Sequence, residues 1–430
     1  MTEKPHRIEG SATARPTTQA AGASALFVLY IVIFIGFLGY SLMITVFTPM
    51  ILDARGAMLP ATTPEARRTV LLGFLLCLYP LGQFIGSPIV GALSDRFGRK
   101  PVLMVSLAAT TICYAIIAAA LDEASFSLLC AASFLAGLSE ANIVTAQSAI
   151  SDVIQADDRN RYFGYIYMSV SAAYIVGPLV GGKLADRSLA IWFGYATPFW
   201  AVFGLLVATF LATLVFFVET KPFAARQRVS YFEAFTNLAW VFRDRRLRHF
   251  YLVNFLLYLA IFGFFRCYPM YLVDEYRLGV SKLSEFIAWV GVPIVMANIW
   301  LTGALSRHFT ARKLTIISGI FTGIFMMIVV IPRAEGAAWA TLFLTSLALA
   351  ICLPSCATML STSAAEAEQG RVMGNNQALQ VGAEALSGLV GGALAAVAVK
   401  LSLLALGAVA IVGGLLLIFS AGRSEGTATG

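Results

Sequence analysis

The stretch GALSDRFGRKP, Gly91 to Pro101, lies between two long apolar runs, at roughly 70–92 and 101–121. Asp95, Arg96, Arg99 and Lys100 crowd together between segments long enough to cross a bilayer, so this stretch is a tight turn at a membrane face. Gly98 permits a sharp backbone turn, and Gly91 is expected to let two helices approach closely.

The composition agrees. Of 430 residues, 59% are hydrophobic and 12% charged, with a mean hydropathy of +0.81. A soluble domain carries about a quarter charged residues, so this chain cannot cover a water-facing surface and is an integral membrane protein in contact with lipid. Its net charge of +7 then reflects loop topology, not nucleic-acid binding. The six cysteines, Cys77, Cys113, Cys130, Cys267, Cys352 and Cys356, lie almost entirely within apolar runs and read as packing residues rather than disulfides or a metal site. Residues 1–24 are polar and small, without a cleavable signal peptide, and are expected to be disordered.

A span needs about 20 apolar residues. That rule gives twelve, near 25–50, 70–92, 101–121, 127–151, 162–186, 191–218, 249–273, 284–306, 313–332, 337–361, 372–398 and 401–421. The longest polar interruption splits them six and six. The expected organisation is a bundle at 25–218, a linker at 219–248, a second bundle at 249–421 and a tail at 422–430. With both ends placed in the cytoplasm, the inner segments hold 20 Lys and Arg and the outer loops 9, the asymmetry expected for that orientation.

The halves echo each other. Gly91–Ser94 recurs as Gly303–Ser306, and Leu179-Val180-Gly181-Gly182 recurs as Leu389-Val390-Gly391-Gly392. Two echoes at nearly one offset point to parallel repeats, the plan of a transporter with its site between two halves.

Three ionisable residues lie deep in spans: Glu140 in span 4, Arg266 in span 7 and Glu384 in span 11. At 1.5 Å per residue the two carboxylates lie about 18 Å from the cytoplasmic helix ends and Arg266 about 25 Å. A charge there costs about 2.5–3.5 kcal/mol, so it must meet a partner or a water-filled cavity. One reading is a Glu–Arg pair that tunes packing; the other is a proton or substrate site, because carboxyls held out of water can exchange protons near neutral pH. Asn142 and Gln147 in span 4, and Gln377 and Gln380 in span 11, are candidate polar lining; Gln380 shares a helix face with Glu384. In span 5, Gly177, Pro178, Gly181 and Gly182 form a bent, closely packing segment.

These motifs carry a family resemblance. Gly91–Pro101 is similar, at almost every position, to the loop between helices 2 and 3 of the major facilitator superfamily. The span 5 string resembles the helix 5 signature of that superfamily's proton-driven drug antiporters, with Ala173 where the signature has an upstream Gly. From Gly137 to Gly182 the chain is similar to tetracycline/proton antiporters, at Gly137, Ala141, Ala149, Ile150, Asp152, Arg159, Phe163 and Gly164. Gln369–Gly374 resembles the opening of their helix 11.

The resemblance implies an all-α fold of two pseudo-symmetric six-helix bundles, with spans 1, 4, 7 and 10 lining a central cavity. It further implies alternating access, proton coupling, efflux and a bacterial inner membrane, and a monomer suffices for this. It gives the Asp95 loop a mechanical role at the cytoplasmic gate, through Gly91, Asp95, Arg96, Gly98, Arg99 and Asp152. Asp95 would face the N-terminus of span 11 and Arg99 would face Asp152, in exposed and easily broken contacts. The pattern departs at two places. Gly36 stands where those antiporters have an intramembrane Asp, and Ser133 where they have an Arg. Tetracycline specificity is therefore not carried over, and Glu140 occupies a site that is small in those relatives.

The leading expectation is thus a secondary transporter exporting a small organic solute. Proton-linked uptake of an organic anion or siderophore is the alternative, and a non-transporting receptor on the same scaffold is a reading of another class. Enzymatic chemistry finds no support: His6, His249 and His308 lie in the tail or at helix ends, and no GxxxxGK[ST] phosphate loop occurs. No cofactor or metal is expected.

Overall fold

The computed structural model describes residues 17–53, 56, 58–140, 142–153, 159–220, 247–365 and 368–424. Twelve helices in this part are long and apolar enough to cross a membrane, and no strand occurs among the described residues. They are α1 (Thr17–Leu52), α2 (Glu65–Phe97), α3 (Arg99–Asp122), α4 in two pieces (Phe126–Ser139 and Asn142–Val153), α5 (Arg159–Leu184) and α6 (Thr197–Phe216). The second six are α7 (Arg248–Tyr276), α8 (Val280–Ser306 in several pieces), α9 (Ala311–Ile328), α10 (Glu335–Ser363), α11 (Gln369–Val397) and α12 (Val399–Ser424).

The expected spans match these helices closely, with two differences. Helix α1 starts at Thr17, inside the segment expected to be disordered. The residues 17–24 are rich in Ala, a strong helix former, so the span propagates backwards through them. Helix α6 starts at Thr197 rather than near 191. Gly194 and Pro198 delay it, and Ile191 and Trp192 are exposed in the preceding turn despite being apolar. Most of the expected linker and the last six residues lie outside the described residues.

Each half has its own core. One buried cluster gathers side chains mainly from α1–α6, including Leu29, Phe47, Tyr114 and Phe199; the other draws on α7–α12, including Leu257, Phe264, Phe286 and Leu403. The halves meet along α2 with α11, α5 with α8, and α1 with α7.

Two helices are irregular within their spans. Helix α4 breaks at Glu140, whose backbone (φ −75°, ψ 2°) leaves the helical region. Helix α8 contains a π-helical segment, Ala297–Leu301. Non-helical backbone at such depth is tolerated only when buried in protein or lining a cavity, and π segments favour functional positions.

The Asp95 turn behaves as expected at Gly98, which adopts φ +100°. Gly91 does not. A side chain there would meet nothing closer than Val144 Cγ1 at 3.9 Å, while the close approach of α2 to α4 runs through Gly82 and Gly86, against the backbone of Phe134 and Leu138.

Candidate solute and proton site

Helix α1 carries Gly36 and Tyr40 four residues and hence about one turn apart, Tyr40 reaching the other half. Above Gly36 lies Glu140. Its Oε1 sits 2.5 Å from the point where a Gly36 side chain would begin, and Ile143 closes the other side at 3.3 Å. Glu140 is 1% exposed and neither carboxylate oxygen has a hydrogen-bond partner.

Tyr40 organises the second group. Its hydroxyl donates to Glu384 Oε1 in a short hydrogen bond and accepts one from Arg266 Nη2 at 2.8 Å. Arg266 Nη2 is 3.6 Å from Glu384 Oε1, and Nη1 donates to the Phe262 carbonyl at 3.3 Å. Thus α1, α7 and α11 are tied together across the two halves. Tyr79 of α2 stacks on Tyr40 with centroids 4.8 Å apart, and Phe37 packs against Tyr174 of α5 at 5.9 Å.

Counting along separate helices put Arg266 well above Glu384. The structure brings them into contact, because the long arginine side chain reaches back along its helix. Of the other candidates, Gln147 is half-buried on α4, Gln377 is exposed and Gln380 half-buried, so the polar face of α11 grades from open to buried towards Glu384. The side chain of Asn142 lies outside the described residues. The neighbouring Asn376 serves packing, accepting from Asn254 at 3.0 Å and bonding Tyr258.

The halves are sealed at one end. Gly73 of α2 meets Gly388 and Gly392 of α11 backbone to backbone. Gly182 of α5 meets Ser284 and Val280 of α8, with Lys183 bonded to Glu285 at 2.6 Å and to Ser281 at 2.7 Å beside it. The repeated Leu-Val-Gly-Gly string thus acquires a meaning. Gly181 and Gly391 seat a helix of their own half, against Leu42 and Cys267, while Gly182 and Gly392 seat the other half. Gly177 packs on Ser41 and Leu38, and Pro178 is buried between these glycines.

At the opposite end, α4 packs on α1, α2, α3 and α5, and α10 on α7, α8, α9 and α11, each within its own half. Tyr167 and Met168 of α5 and Ile299 and Trp300 of α8 are exposed there. An apolar groove of about 240 Å³ between α1 and α5, lined by Phe27, Tyr30, Phe34 and Met168, opens at this end. Among the described residues, the glycine seams between the halves lie at the Gly73–Gly392 end.

The Asp95 loop is better anchored than an exposed latch. Arg99 is 5% exposed, bonding Asp152 at 2.8 Å, Asp95 at 3.0 Å and Ser94 Oγ at 2.7 Å. Asp152 and Asp95 remain partly solvated, which fits the expected weakness on their side alone. Glu219, just past α6, accepts the first two N–H groups of α3, from Arg99 and Lys100, at 2.8 and 2.9 Å. Arg96 lies over the Phe97 ring at 5.0 Å. Sequence reasoning missed Tyr40, Tyr79, Tyr174 and Gly73; nothing distinguishes them in the chain from other apolar-span residues.

Comparison with known proteins adds the lineage. The sequence model of the Major Facilitator Superfamily matches residues 29–374. Tetracycline resistance protein, class C, of Escherichia coli is 28% identical over 307 residues, covering 71% of this chain and 75% of that one. Quinolone resistance protein NorA of Staphylococcus aureus is 23% identical over 376 residues, covering 86% and 89%. In fold, a bacterial homolog of the human lysosomal transporter Spinster, in an inward-facing and occupied conformation, superposes with a TM-score of 0.74 at 14% identity, over 95% of this chain and 98% of that one.

Proposed function

Because the chain belongs to the major facilitator superfamily and is a secondary transporter rather than an enzyme, we propose that it exports a small organic solute in exchange for protons, by alternating access. The observation that carries this reading is Glu140, buried against Gly36 of α1 with both oxygens unpartnered. An ionised carboxyl without a donor in a dry site is costly, and either a proton or a cationic group of the solute removes that cost. Competition between the two at one carboxyl is what antiport requires. Glu384 is the second proton site, reached once its contacts with Tyr40 and Arg266 break.

We take the Asp95 end as cytoplasmic, as the Lys and Arg distribution supports, and this conformation, with its glycine seams at the other end, as inward-facing. Opening outward requires the Gly73–Gly392 and Gly182–Ser284 seams to part and the α1–α7–α11 contacts to yield. We place the protein in a bacterial inner membrane as a monomer, the α5 and α4 motifs and its efflux relatives supporting export. Proton-linked uptake of an organic anion is the second reading, favoured by Arg266 Nε, which is buried without a partner.

The test is reconstitution into liposomes holding a pH-sensitive dye, followed by a panel of cationic drugs, organic anions and siderophores. Proton movement opposite to the added solute supports export. Proton movement with the solute replaces export by uptake, and solute flux without protons removes the coupling role of both carboxylates.

A further inference from the structure

The break in α4 changes the partner of one backbone carbonyl. In an unbroken helix the Ser139 carbonyl would accept the N–H of Ile143, four residues on. Here that N–H goes to the Glu140 carbonyl instead, at 3.2 Å, while the Glu140 N–H reaches back to Ala136 at 2.8 Å. The Ser139 carbonyl has lost its usual donor. Within a membrane span a carbonyl without a donor is costly.

Helix α3 supplies a donor. Ser106 gives its hydroxyl to the Ser139 carbonyl in a short hydrogen bond. One turn further on, the Thr110 hydroxyl lies 3.1 Å from Ser139 Oγ and 3.0 Å from the Ser106 carbonyl. Both residues are buried. Ser139 itself turns its hydroxyl back onto the carbonyls of Leu135 and Ala136, a habit that bends helices. Buried hydroxyls elsewhere in the spans stay within their own helix: Thr111 returns to Leu107 at 2.7 Å, Thr209 to Leu205 at 2.7 Å and Thr345 to Thr341 at 2.8 Å. Ser106 instead crosses to α4, at the residue next to Glu140.

We infer that Ser106, with Thr110 beside it, is a positioning residue: it captures the carbonyl released by the α4 break and thereby holds Glu140 on Gly36. Without that bond the Ser139 carbonyl would take Ile143 back, the turn would rewind, and the Glu140 carboxyl would leave its seat against α1. Ser106 touches neither solute nor proton and acts only through the backbone of α4. The inference deepens the exporter reading and rests on it for the use made of Glu140, but not for the placement.

The test reads that placement without transport. Dicyclohexylcarbodiimide, an apolar reagent for carboxyls in membranes, is applied to the purified full chain, and peptide mass spectrometry follows labelling at Glu140 and Glu384. Ser106→Ala should raise the Glu140 labelling rate about fivefold, the weight of one lost hydrogen bond, and leave Glu384 unchanged. Ser106→Thr keeps the donor and should restore the wild-type rate. Thr111→Ala, which loses only a bond within α3, should not alter it. Ser106→Cys, a weaker donor of similar shape, should give a smaller rise and serves where the alanine variant does not fold. No change at Glu140, or an equal change at both carboxylates, would overturn the positioning role. In liposomes the Ser106→Ala protein should also move fewer protons per solute, a ratio that loss of folded protein leaves untouched. Altered labelling with an unaltered ratio would uphold the placement and remove Glu140 from the export reading.

Discussion

Glu140 Oε1 lies 2.5 Å from where a side chain on Gly36 would begin, so the acid of α4 fills the space that α1 leaves empty. Glu140 thus stands where the sequence resemblance places a helix 1 acid, supplied here from α4 of the same half. The first prediction follows. Gly36→Ala forces the flexible end of Glu140 to move and the tip of Ile143 to give slightly, so the protein should fold with a nearly unchanged unfolding midpoint. Proton-coupled flux in liposomes should nevertheless fall at least tenfold. Unchanged flux would show that the placement of Glu140 is immaterial.

The two intramembrane carboxylates should respond oppositely to neutralisation. Glu384→Gln removes the charge facing buried Arg266 and leaves that cation with the Tyr40 hydroxyl and the Phe262 carbonyl, which should destabilise the protein by about 3 kcal/mol. Glu140 has no charge partner to lose, so Glu140→Gln should unfold at nearly the wild-type temperature while making solute flux independent of the pH gradient. Thermal unfolding read alongside flux separates the roles. Equal destabilisation would mean that Glu140 is structural as well.

The seams at the closed end leave no room for side chains. Gly73 and Gly392 touch backbone to backbone, so Gly392→Leu should hold α2 and α11 apart and shift the population towards the outward-open form. Cysteines placed at Lys183 and Glu285, 2.6 Å apart at their charged ends, report the same closed end from the other seam. Their cross-linking should drop several-fold in Gly392→Leu. Undiminished cross-linking would show that the two seams open independently.

At the Asp95 end Arg99 serves three acceptors at once. Arg99→Ala should cost about 1–2 kcal/mol, the modest size reflecting the partial solvation of Asp95 and Asp152. Arg99→Lys should recover less than half of it, because an ammonium cannot bond Asp152, Asp95 and Ser94 in their fixed directions. Chemical or thermal unfolding of the three proteins in one detergent decides it.

Legibility divided along physical lines. The twelve spans, their six-and-six division and the Gly98 turn could be read because each depends on local properties: the length of an apolar run, or one residue's backbone freedom. Glu140, Arg266 and Glu384 stood out because charge is rare at that depth. Their pairing did not. Glu384 is bound to Arg266 and Tyr40 while Glu140 is left alone, and no spacing in the chain distinguishes the two acids. The close-packing role expected of Gly91 belongs instead to Gly82 and Gly86, because helix direction decides which glycine reaches the crossing.

The chain by itself therefore determined that this is a twelve-helix membrane transporter, since partitioning into lipid is a sum over consecutive residues and needs no knowledge of neighbours. Tertiary structure alone decided which charges are spent and which are free. That depends on where side chains from α1, α4, α7 and α11 converge, and a few ångströms there separate a satisfied ion pair from a binding site.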